Sequence, residues 1–489
     1  MIRFTIRPVL ALLAAALPSM LGGCAINTAT GGVDFMLVST EEEEEIGRTS
    51  HPQVLAEFGG VYYDPGFAAY IEEVGRKIAA ITELQDFEYR FTALDSPSVN
   101  AFALPGGYIY VTRGLLALAS SEAELASVLS HELAHVNARH GAQRLSGMKV
   151  EDRICDTIGC DFELPVLGDT AAVGIRLAFG GFTQDQELEA DRLGLRYLVA
   201  AGYDPRGMTG FLRKLKAQRD LEARIAGLTD AERDSHGYSS THPLTGARIE
   251  QANALIEDTE APTGYAGDIA YLHAIDGLLY GNRREYGFVI GRTYAHAVRR
   301  ITFNVPEDYT LDTDSRRVTA LGPGGATILF EPSRMLVTGP VVTYLTGTWA
   351  AGIALEDVRE FDINGLEAAT GWLRSETSQG PVDFRLVAVR VGTGTIYRFL
   401  FLSPARMAAR LAENMRRTTY SFRILDADEA AALRPRRLRI VTAGADDTIE
   451  TMVQLNAFPD HAIERFAILN DLGDPPVVRP GRLMKLVGD

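Results

Sequence analysis

The chain has 489 residues, of which 46% are hydrophobic and 23% charged, and this composition is typical of a globular protein. At this length we expect two or three domains, because a single hydrophobic core stops growing at roughly 250–300 residues. The 64 acidic residues outnumber the 48 basic ones, so the formal net charge is -16. That balance excludes a nucleic-acid partner, since nucleic-acid binding needs a basic face.

The first residues predict a secretory signal peptide over residues 1–23. Arg3 and Arg7 precede a continuous apolar run, Val9 to Leu17, which is too short to span a membrane. Leu21-Gly22-Gly23-Cys24 then resembles the lipobox of bacterial lipoproteins. The resemblance implies cleavage before Cys24, acyl chains on that cysteine, and attachment to a membrane on the periplasmic side of the bacterial cell envelope. No aspartate follows Cys24, which favours the outer membrane; a plain secretory peptide is the alternative.

Two further cysteines, Cys155 and Cys160, lie close together in the sequence. An oxidising periplasm permits a disulfide between them, which would contribute roughly 2 kcal/mol through the short loop that it closes. Metal binding is the alternative, but no second pair of cysteines completes a four-ligand site. We therefore predict a structural disulfide.

From Ile46 to about Ala254 the pattern is mainly helical, with a β segment from Tyr89 to Val111. Ser121-Glu122-Ala123-Glu124 has the spacing of a capping box, so a helix is expected to begin there. A second capping box predicts another helix from Thr183 to about Ala200. Leu164 to Thr183 is fairly apolar but contains charged residues, which predicts a loop over the active site rather than a membrane span.

Beyond a predicted linker at residues 261–264, the pattern changes to strand-like runs separated by glycine-rich turns. The predicted elements are strands at Val318 to Leu321, Ala326 to Phe330, Phe384 to Val391 and Thr395 to Leu402, and a helix from Ala405 to about Arg417. They indicate an α+β domain over residues 265–425 with no cluster of catalytic residue types. Residues 436–489 resemble a LysM module, although the usual Gly-Asp-Thr opening is Ala445-Asp446-Asp447-Thr448 here.

His131-Glu132-Leu133-Ala134-His135 is an HExxH motif inside the helix predicted to begin after Ser121. Two histidines four residues apart lie on one face of a helix, so both imidazoles can bind the same Zn²⁺ ion. Glu132 can reach the water in the fourth ligand position and take its proton, because bound zinc lowers the pKa of that water to about 7. The motif therefore predicts one zinc ion per chain and hydrolysis of peptide bonds.

A catalytic zinc needs a third protein ligand. His140 is nearest in sequence, but on a straight helix it points away from the face of His131 and His135. Glu187 and Asp191 are four residues apart, so one can bind zinc while the other accepts the outer N–H of a ligand histidine. Glu189 is the main competitor, and it points to the opposite side of the helix. The alternative is that all three acids lie on an exposed helix surface.

Three stretches of sequence together resemble the HtpX/CAAX-prenyl-protease family of zinc metallopeptidases, in particular its soluble periplasmic members. They are HELAHVNARH from His131 to His140, the ExxxD pair Glu187 and Asp191, and Asn100 to Gly107 before a predicted strand. The resemblance covers about residues 40–255. It implies that Glu187 is the third zinc ligand and that Asp191 holds a ligand histidine in place.

The same resemblance implies that Tyr108-Ile109-Tyr110-Val111 is an edge strand beside the cleft. Such a strand can bind an extended polypeptide through backbone hydrogen bonds, and ordinary sheet is the alternative. Thr241-His242-Pro243 and Arg248 also match a family pattern downstream of the ligands. His242 then either caps the zinc in a resting state or stabilises the oxyanion, and Arg248 supports either the substrate or the site. A purely structural role is the alternative for both.

We therefore expect an α+β protein. A mostly helical, zincin-type (gluzincin) peptidase domain with a small sheet occupies residues 24–260, followed by the α+β domain and the LysM-like module. The expected activity is zinc-dependent cleavage of unfolded or misassembled envelope polypeptides, a substrate class that the resemblance implies. A lipid-anchored, chaperone-like assembly factor with latent hydrolysis is the alternative. A third hypothesis is action on peptidoglycan, suggested by the last module, but no residue near the zinc site selects a sugar.

Overall fold

A computed structural model of the protein describes residues 24–147, 181–225, 241–243, 246–258, 263–313, 317–333, 335–377, 380–458 and 460–488. The predicted signal peptide, the predicted disulfide between Cys155 and Cys160, and most of the predicted loop from Leu164 to Thr183 lie outside these residues. The fold is mixed α+β, as predicted, with a helical first part and a sheet-rich second part. Within the described ranges, no helix combines the length and the apolar character that crossing a bilayer requires.

A short antiparallel hairpin and two helices open the described chain. These elements are β1 (Cys24–Ile26), β2 (Val33–Phe35), α1 (Thr40–Glu57) and α2 (Pro65–Ala79). The Ser39 side chain accepts a hydrogen bond from the backbone N–H of Glu42, and the Asp64 side chain accepts one from Phe67. Each cap satisfies an N–H group that has no partner inside its helix, which is why α1 and α2 begin at these residues.

A three-stranded sheet packs beside these helices, and its central strand is the one predicted to be an edge. The strands are β3 (Arg90–Leu94), β4 (Ala101–Leu104) and β5 (Tyr108–Thr112). β5 pairs in parallel with β3 and antiparallel with β4, so β3 and β4 form the two edges. The prediction of an edge strand at Tyr108, Ile109 and Tyr110 is therefore wrong, and all three residues are buried. Side-chain alternation shows which face a residue takes, but it does not show which strands lie on either side.

Six more helices lie among the described residues of the helical part. They are α3 (Arg113–Leu118), α4 (Glu122–Asn137), α5 (Gln184–Ala200), α6 (Arg206–Ile225), α7 (Gly246–Glu257) and α8 (Asp268–Ala274). α4 begins after Ser121 and α5 after Thr183, as predicted, and the second start has a complete capping box. All 16 residues of α4 are buried, so neighbours enclose this helix on every side. At Gly194 of α5 a Cβ atom would lie 3.1 Å from the Cα of His131, so glycine lets the two helices approach closely there.

The second part contains two antiparallel sheets. Their strands are β7 (Phe288–Ile290), β8 (Thr293–His296), β9 (Ile301–Asn304), β10 (Thr310–Thr313), β11 (Val318–Leu321), β12 (Thr327–Pro332), β13 (Glu356–Ile363), β14 (Leu366–Thr377), β15 (Gly380–Val391), β16 (Thr395–Pro404) and β17 (Arg423–Ile424). The four-stranded sheet has the order β17-β9-β8-β7, and the seven-stranded sheet has the order β10-β11-β12-β16-β15-β14-β13. The hairpins β11–β12 and β15–β16 lie where the glycine-rich turns predicted them.

Aromatic side chains fill the core between these two sheets. Phe303, Phe330 and Phe399 contact one another with ring centroids 4.6–5.0 Å apart, and Phe422 packs against them. Three helices accompany the sheets, namely α9 (Val341–Tyr344), α10 (Ala408–Ser421) and α11 (Ala427–Ala432). The predicted helix from Ala405 is α10, which starts three residues later because residues 405–407 form a 3-10 turn.

The last elements have the order strand, helix, helix, strand. They are β18 (Arg436–Thr442), α12 (Ile449–Gln454), α13 (Ala462–Asn470) and β19 (Leu483–Gly488). β18 also pairs with β6 (Leu279–Tyr280), and the buried Lys485 ammonium donates to the carbonyls of Ala117, Leu118 and Ala119 at 2.9, 3.0 and 2.7 Å. These bonds attach the C-terminal elements to the end of α3, directly before the HExxH helix. Glycan binding by this segment stays a prediction.

Candidate metal centre

Four buried side chains from three segments of the chain meet between α4 and α5. His131 and His135 lie on α4, Glu187 lies on α5, and His242 lies in the segment 241–243. One ligand atom of each lies within 4.8 Å of the ligand atoms of the other three. The structure thus brings together both histidines of the HExxH motif, the predicted third ligand, and a histidine predicted only from the family pattern.

The spacing of these atoms fits a tetrahedral metal ion. The Nε2 atoms of His131 and His135 are 3.1 Å apart; Glu187 Oε2 lies 3.5 Å from the first and Glu187 Oε1 lies 3.4 Å from the second. His242 Nδ1 lies 2.9 Å from Glu187 Oε1 and 3.3 Å from His131 Nε2. A tetrahedral ion with bonds of about 2.0–2.1 Å keeps its ligand atoms about 3.3 Å apart. Three imidazole nitrogens and one carboxylate oxygen are also a suitable donor set for such an ion.

Asp191 and Arg248 form a buried frame behind the candidate ligands. Asp191 Oδ1 lies 2.9 Å from His131 Nδ1, the imidazole nitrogen that faces away from the ligand group. Arg248 donates to both oxygens of Asp191 at 2.7 Å, and its Nη1 lies 2.6 Å from Glu187 Oε2. Asp191 thus has the position predicted for the residue that orients a ligand histidine. Arg248 is 1% exposed and bound to these carboxylates, so of its two predicted roles the geometry supports bracing the site.

His140 and Glu189 make contacts that the sequence analysis missed. His140 Nδ1 lies 2.8 Å from His135 Nδ1, and Glu189 Oε2 lies 3.2 Å from His140 Nε2. Neither side chain belongs to the group of four, so the geometry agrees with the choice of Glu187 over His140 and Glu189, which stays a prediction. The prediction assumed one straight helix, whereas α4 ends at Asn137 and Arg139 has φ +55°. That break directs His140 toward the outer nitrogen of His135, and no local sequence pattern indicated it.

Glu132 is fully buried and is poised to accept a proton. Neither of its carboxylate oxygens accepts a hydrogen bond from the described residues, and its Oε1 lies 3.5 Å from His242 Nε2. Burial raises the pKa of Glu132, because the low-dielectric surroundings disfavour the charged form. An unsatisfied buried carboxylate is costly for folding, and such groups are concentrated at functional sites. The arrangement therefore suits a general base.

The candidate ligand Glu187 stays ionised in spite of its burial. Burial acts to raise its pKa, but the nearby charges of His242 and Arg248 hold the pKa of Glu187 well below its usual range. Burial likewise acts to lower the pKa of His131, and the hydrogen bonds to Asp191 and Glu187 outweigh it and raise that pKa to about 9. The frame therefore stabilises negative charge on the carboxylate that faces the three imidazoles.

Phe182 and His242 close the centre on its open side. The Phe182 ring stacks on His135 with centroids 3.9 Å apart, and its backbone N–H donates to Thr241 O at 3.2 Å. The space left beside His135, lined also by Ala103, is a cavity of about 20 Å³. That volume suits at most one water molecule, so a larger molecule reaches the candidate ligands from this cavity only when these side chains move.

The sequence around this centre is similar to that of known peptidases. Residues 67–256 match the profile of Peptidase family M48, and the match contains every candidate ligand, Asp191 and Arg248. The mitochondrial metalloendopeptidase OMA1 of Schizosaccharomyces pombe is 26% identical over 229 residues, which are 46% of this chain and 64% of that protein. The beta-barrel assembly-enhancing protease of Yersinia pestis is 28% identical over 259 residues, 50% of each chain. OMA1 of Arabidopsis thaliana is 36% identical over 183 residues, 37% of this chain and 34% of that protein. The chain thus spans about a third to two thirds of these relatives.

Proposed function

We propose that this chain, whose residues 67–256 belong to the M48 family of metallopeptidases, is a zinc-dependent endopeptidase. The observation that carries the proposal is the group of four buried ligand atoms within 4.8 Å of one another, with the buried carboxylate of Glu132 beside them. His131, His135 and Glu187 are the proposed zinc ligands, and His242 takes the fourth position in the closed arrangement. The finer assignment to the HtpX/CAAX-prenyl-protease branch stays a prediction from the motifs.

The residues of this chain supply proton transfer and positioning. A bound Zn²⁺ acidifies water and polarises a carbonyl group. Glu132 accepts the proton of the attacking water through one of its two free oxygens and passes it to the leaving amine nitrogen, so that the C–O bond forms as the C–N bond breaks. Asp191 and Arg248 hold His131 and Glu187 in place throughout. His242 lies among the candidate ligands, so it would have to move aside before a substrate group could approach them; its Nε2 lies 3.5 Å from Glu132 Oε1.

The proposed substrate strand is β4, in place of the strand that the sequence predicted. Thr112 N–H donates to Asn100 O at 3.0 Å, so the alternation of an antiparallel pair turns the backbone polar groups of Ala101 and Ala103 away from β5. Ala103 also lines the small cavity beside His135. An extended polypeptide added along β4 would gain backbone hydrogen bonds with little dependence on its side chains, as a protease for unfolded polypeptides requires.

The proposed location is the periplasmic side of the cell envelope, with acyl chains on Cys24 and the outer membrane favoured. The support is the lipobox-like Leu21-Gly22-Gly23-Cys24 and the similarity to proteins named beta-barrel assembly-enhancing protease. The proposed substrates are unfolded or misassembled envelope polypeptides. The alternative is a lipid-anchored assembly factor with latent hydrolysis. It is supported by the closed state of the centre, in which His242 and Phe182 occupy the approach to the ligands.

The test measures zinc content and casein cleavage with purified residues 25–489. The parent should hold one zinc ion and cleave casein. Glu132→Gln should keep the ion and lose about 10²–10⁴-fold in rate, because it keeps the shape of the side chain but cannot take a proton. Glu187→Ala should lose the ion. Asp185→Ala is the matched control, since it removes an exposed carboxylate from the same helix and should change neither measurement.

Each result separates the two hypotheses. A parent without zinc contradicts the proposal outright. A parent that holds zinc but cleaves no unfolded protein, together with a Glu132→Gln variant that keeps full function in cells, favours the assembly factor.

A further inference from the structure

The hairpin of β1 and β2 exposes one apolar face. Ile26 and Val33 are register partners in the hairpin, and they are 75% and 70% exposed. Phe35, two residues after Val33 and therefore on the same face, is 45% exposed. We call Ile26, Val33 and Phe35 the apolar hairpin face. No described residue covers these side chains enough to bury any of them.

The opposite face of the hairpin is polar and points into the protein. Asp34 Oδ2 accepts hydrogen bonds from Asn27 Nδ2 at 2.7 Å and from Gln143 Nε2 at 2.9 Å. The buried Asn27 side chain also donates to the carbonyl of Ala138 at 2.8 Å. A surface hairpin in water normally turns its apolar face inward and its polar face outward. This hairpin has the inverted pattern, which suits apolar surroundings on its outer side.

The hairpin is also tied firmly to the segment that follows the HExxH helix. Leu37 N–H donates to Ser146 Oγ at 2.8 Å, and Arg139 Nη2 donates to Val38 O at 3.0 Å. Ala138, which accepts the bond from Asn27, directly follows the last residue of α4. The outward direction of the apolar hairpin face is therefore fixed by several hydrogen bonds, and it is fixed relative to the metal centre.

We propose that the apolar hairpin face lies in the interface of a lipid bilayer, as a second membrane contact beside the acyl chains of Cys24. This inference rests on the proposed acylation. Cys24 is the register partner of Phe35, so the lipid attachment point belongs to the same hairpin. Acyl chains leave a protein free to rotate on the membrane, whereas a second contact fixes its orientation and strengthens attachment. The hairpin would thus hold the metal centre at a constant position over the membrane surface.

The electrostatic surroundings indicate which lipid surface fits. Glu41, Glu44 and Glu45 are exposed on the helix that follows the hairpin, and the chain has a net charge of -16. An anionic surface would repel these charges, since its negative potential attracts basic groups and acts on acidic groups with the opposite sign. A zwitterionic phosphatidylcholine vesicle is therefore the appropriate probe.

The test is flotation with phosphatidylcholine vesicles, using residues 24–489 with Cys24→Ala so that no acyl chain contributes. This parent should float with the vesicles. The variant Ile26→Ser, Val33→Ser, Phe35→Ser should partition about ten- to a hundredfold more weakly, because three apolar side chains no longer leave water. The matched control replaces three exposed apolar residues of the C-terminal elements with serine, and it should float like the parent; these residues are Leu455, Ile463 and Val477. Circular dichroism and the melting midpoint check that both variants are folded.

A parent that does not float, or a hairpin variant that floats as well as the parent, overturns the proposal. Light scattering identifies the other occupant: a parent dimer that the hairpin variant converts to a monomer, without flotation, would make this face an interface between two copies. Zinc content and casein cleavage are measured without vesicles, and incorporation of labelled palmitate tests Cys24 in the full chain. Failure of the membrane contact is therefore distinguishable from failure of the proposed enzyme or of its acylation.

Discussion

The metal centre and the core of the sheet-rich part are both fully buried, but they bury opposite kinds of side chain. Glu132, Glu187 and His242 have no exposed surface in the metal centre, whereas Phe399 and Phe401 have none in the sheet core. Aromatic side chains gain free energy when they leave water, and each such residue contributes directly to folding. Buried carboxylates and imidazoles need partners, and here those partners form a frame around one point. The comparison teaches that burial stabilises the fold in one region and positions charge in the other.

The largest expected effects come from removing one central side chain in each region. Arg248→Gln should lower the free energy of unfolding by about 3–5 kcal/mol, because Glu187 and Asp191 are left as buried carboxylates without their cation. It should also weaken zinc binding. Urea unfolding and zinc content measure both effects. Arg76→Gln, which breaks an exposed ion pair with Glu72, is the control and should change stability by less than about 1 kcal/mol.

Phe399→Ala should lower the free energy of unfolding by a similar amount, about 3–5 kcal/mol, through a lost aromatic contact and the cavity that remains. Unlike Arg248→Gln, it should leave zinc content and casein cleavage per folded molecule unchanged, because Phe399 lies in the other core. Tyr420→Ala, at an exposed position of the same part, is the control. Loss of zinc in the Phe399 variant would contradict the prediction that the metal centre is independent of the sheet core.

Glu43 lies at the rim of the metal centre, and its ion pair with Arg139 does not offset the free-energy cost of burying its charge. Burial raises the pKa of Glu43 from its ordinary value of about 4.5 to about 7, despite the ion pair with Arg139. The folded protein therefore binds a proton that the unfolded chain has released, and stability falls as pH rises from about 4.5 to about 7. The expected loss is about 3 kcal/mol across this window. Urea unfolding at pH 5 and pH 7.5 should show most of this loss in the parent and not in Glu43→Gln, with Glu44→Gln behaving like the parent.

The smallest expected effect concerns metal affinity alone. Asp191→Asn keeps the shape of the side chain but weakens the hold on His131 Nδ1. It should reduce zinc affinity about 10- to 100-fold, as the loss of such supporting carboxylates does in other metal sites. Competition with a zinc chelator measures the affinity. A variant with parental affinity would mean that Arg248 alone keeps the frame in order.

Much of the candidate site could be predicted because it depends on local geometry. The spacing of His131 and His135 puts both on one face of a helix, and the caps at Ser121 and Thr183 predicted where the two helices begin. The same four-residue spacing made Glu187 and Asp191 candidates, and the family resemblance implied which of them binds the metal. The strands from Val318 to Leu402 were predictable for a similar reason, since glycine-rich turns separate alternating or apolar runs.

Other features depended on contacts between distant parts of the chain. In the small sheet β5 is central and not an edge, because β3 pairs with it on one side and β4 on the other. The contact of His140 with His135 arises from a break after Asn137, and the closed position of His242 joins residues 111 positions apart. No periodic pattern in the sequence predicts these contacts, because they result from how whole helices and strands pack.

The sequence by itself therefore predicted the candidate chemistry: two histidines and a glutamate in the HExxH motif, and a further carboxylate on a second helix. The periods of helices and strands follow from backbone geometry within a few residues. A helix or strand can therefore be predicted from the sequence of its own segment. Only the tertiary structure decided which strand is the free edge, what braces Glu187, and which face of the first hairpin points outward. Those outcomes depend on the simultaneous packing of many elements, and the sequence of a single segment does not show which elements pack against it.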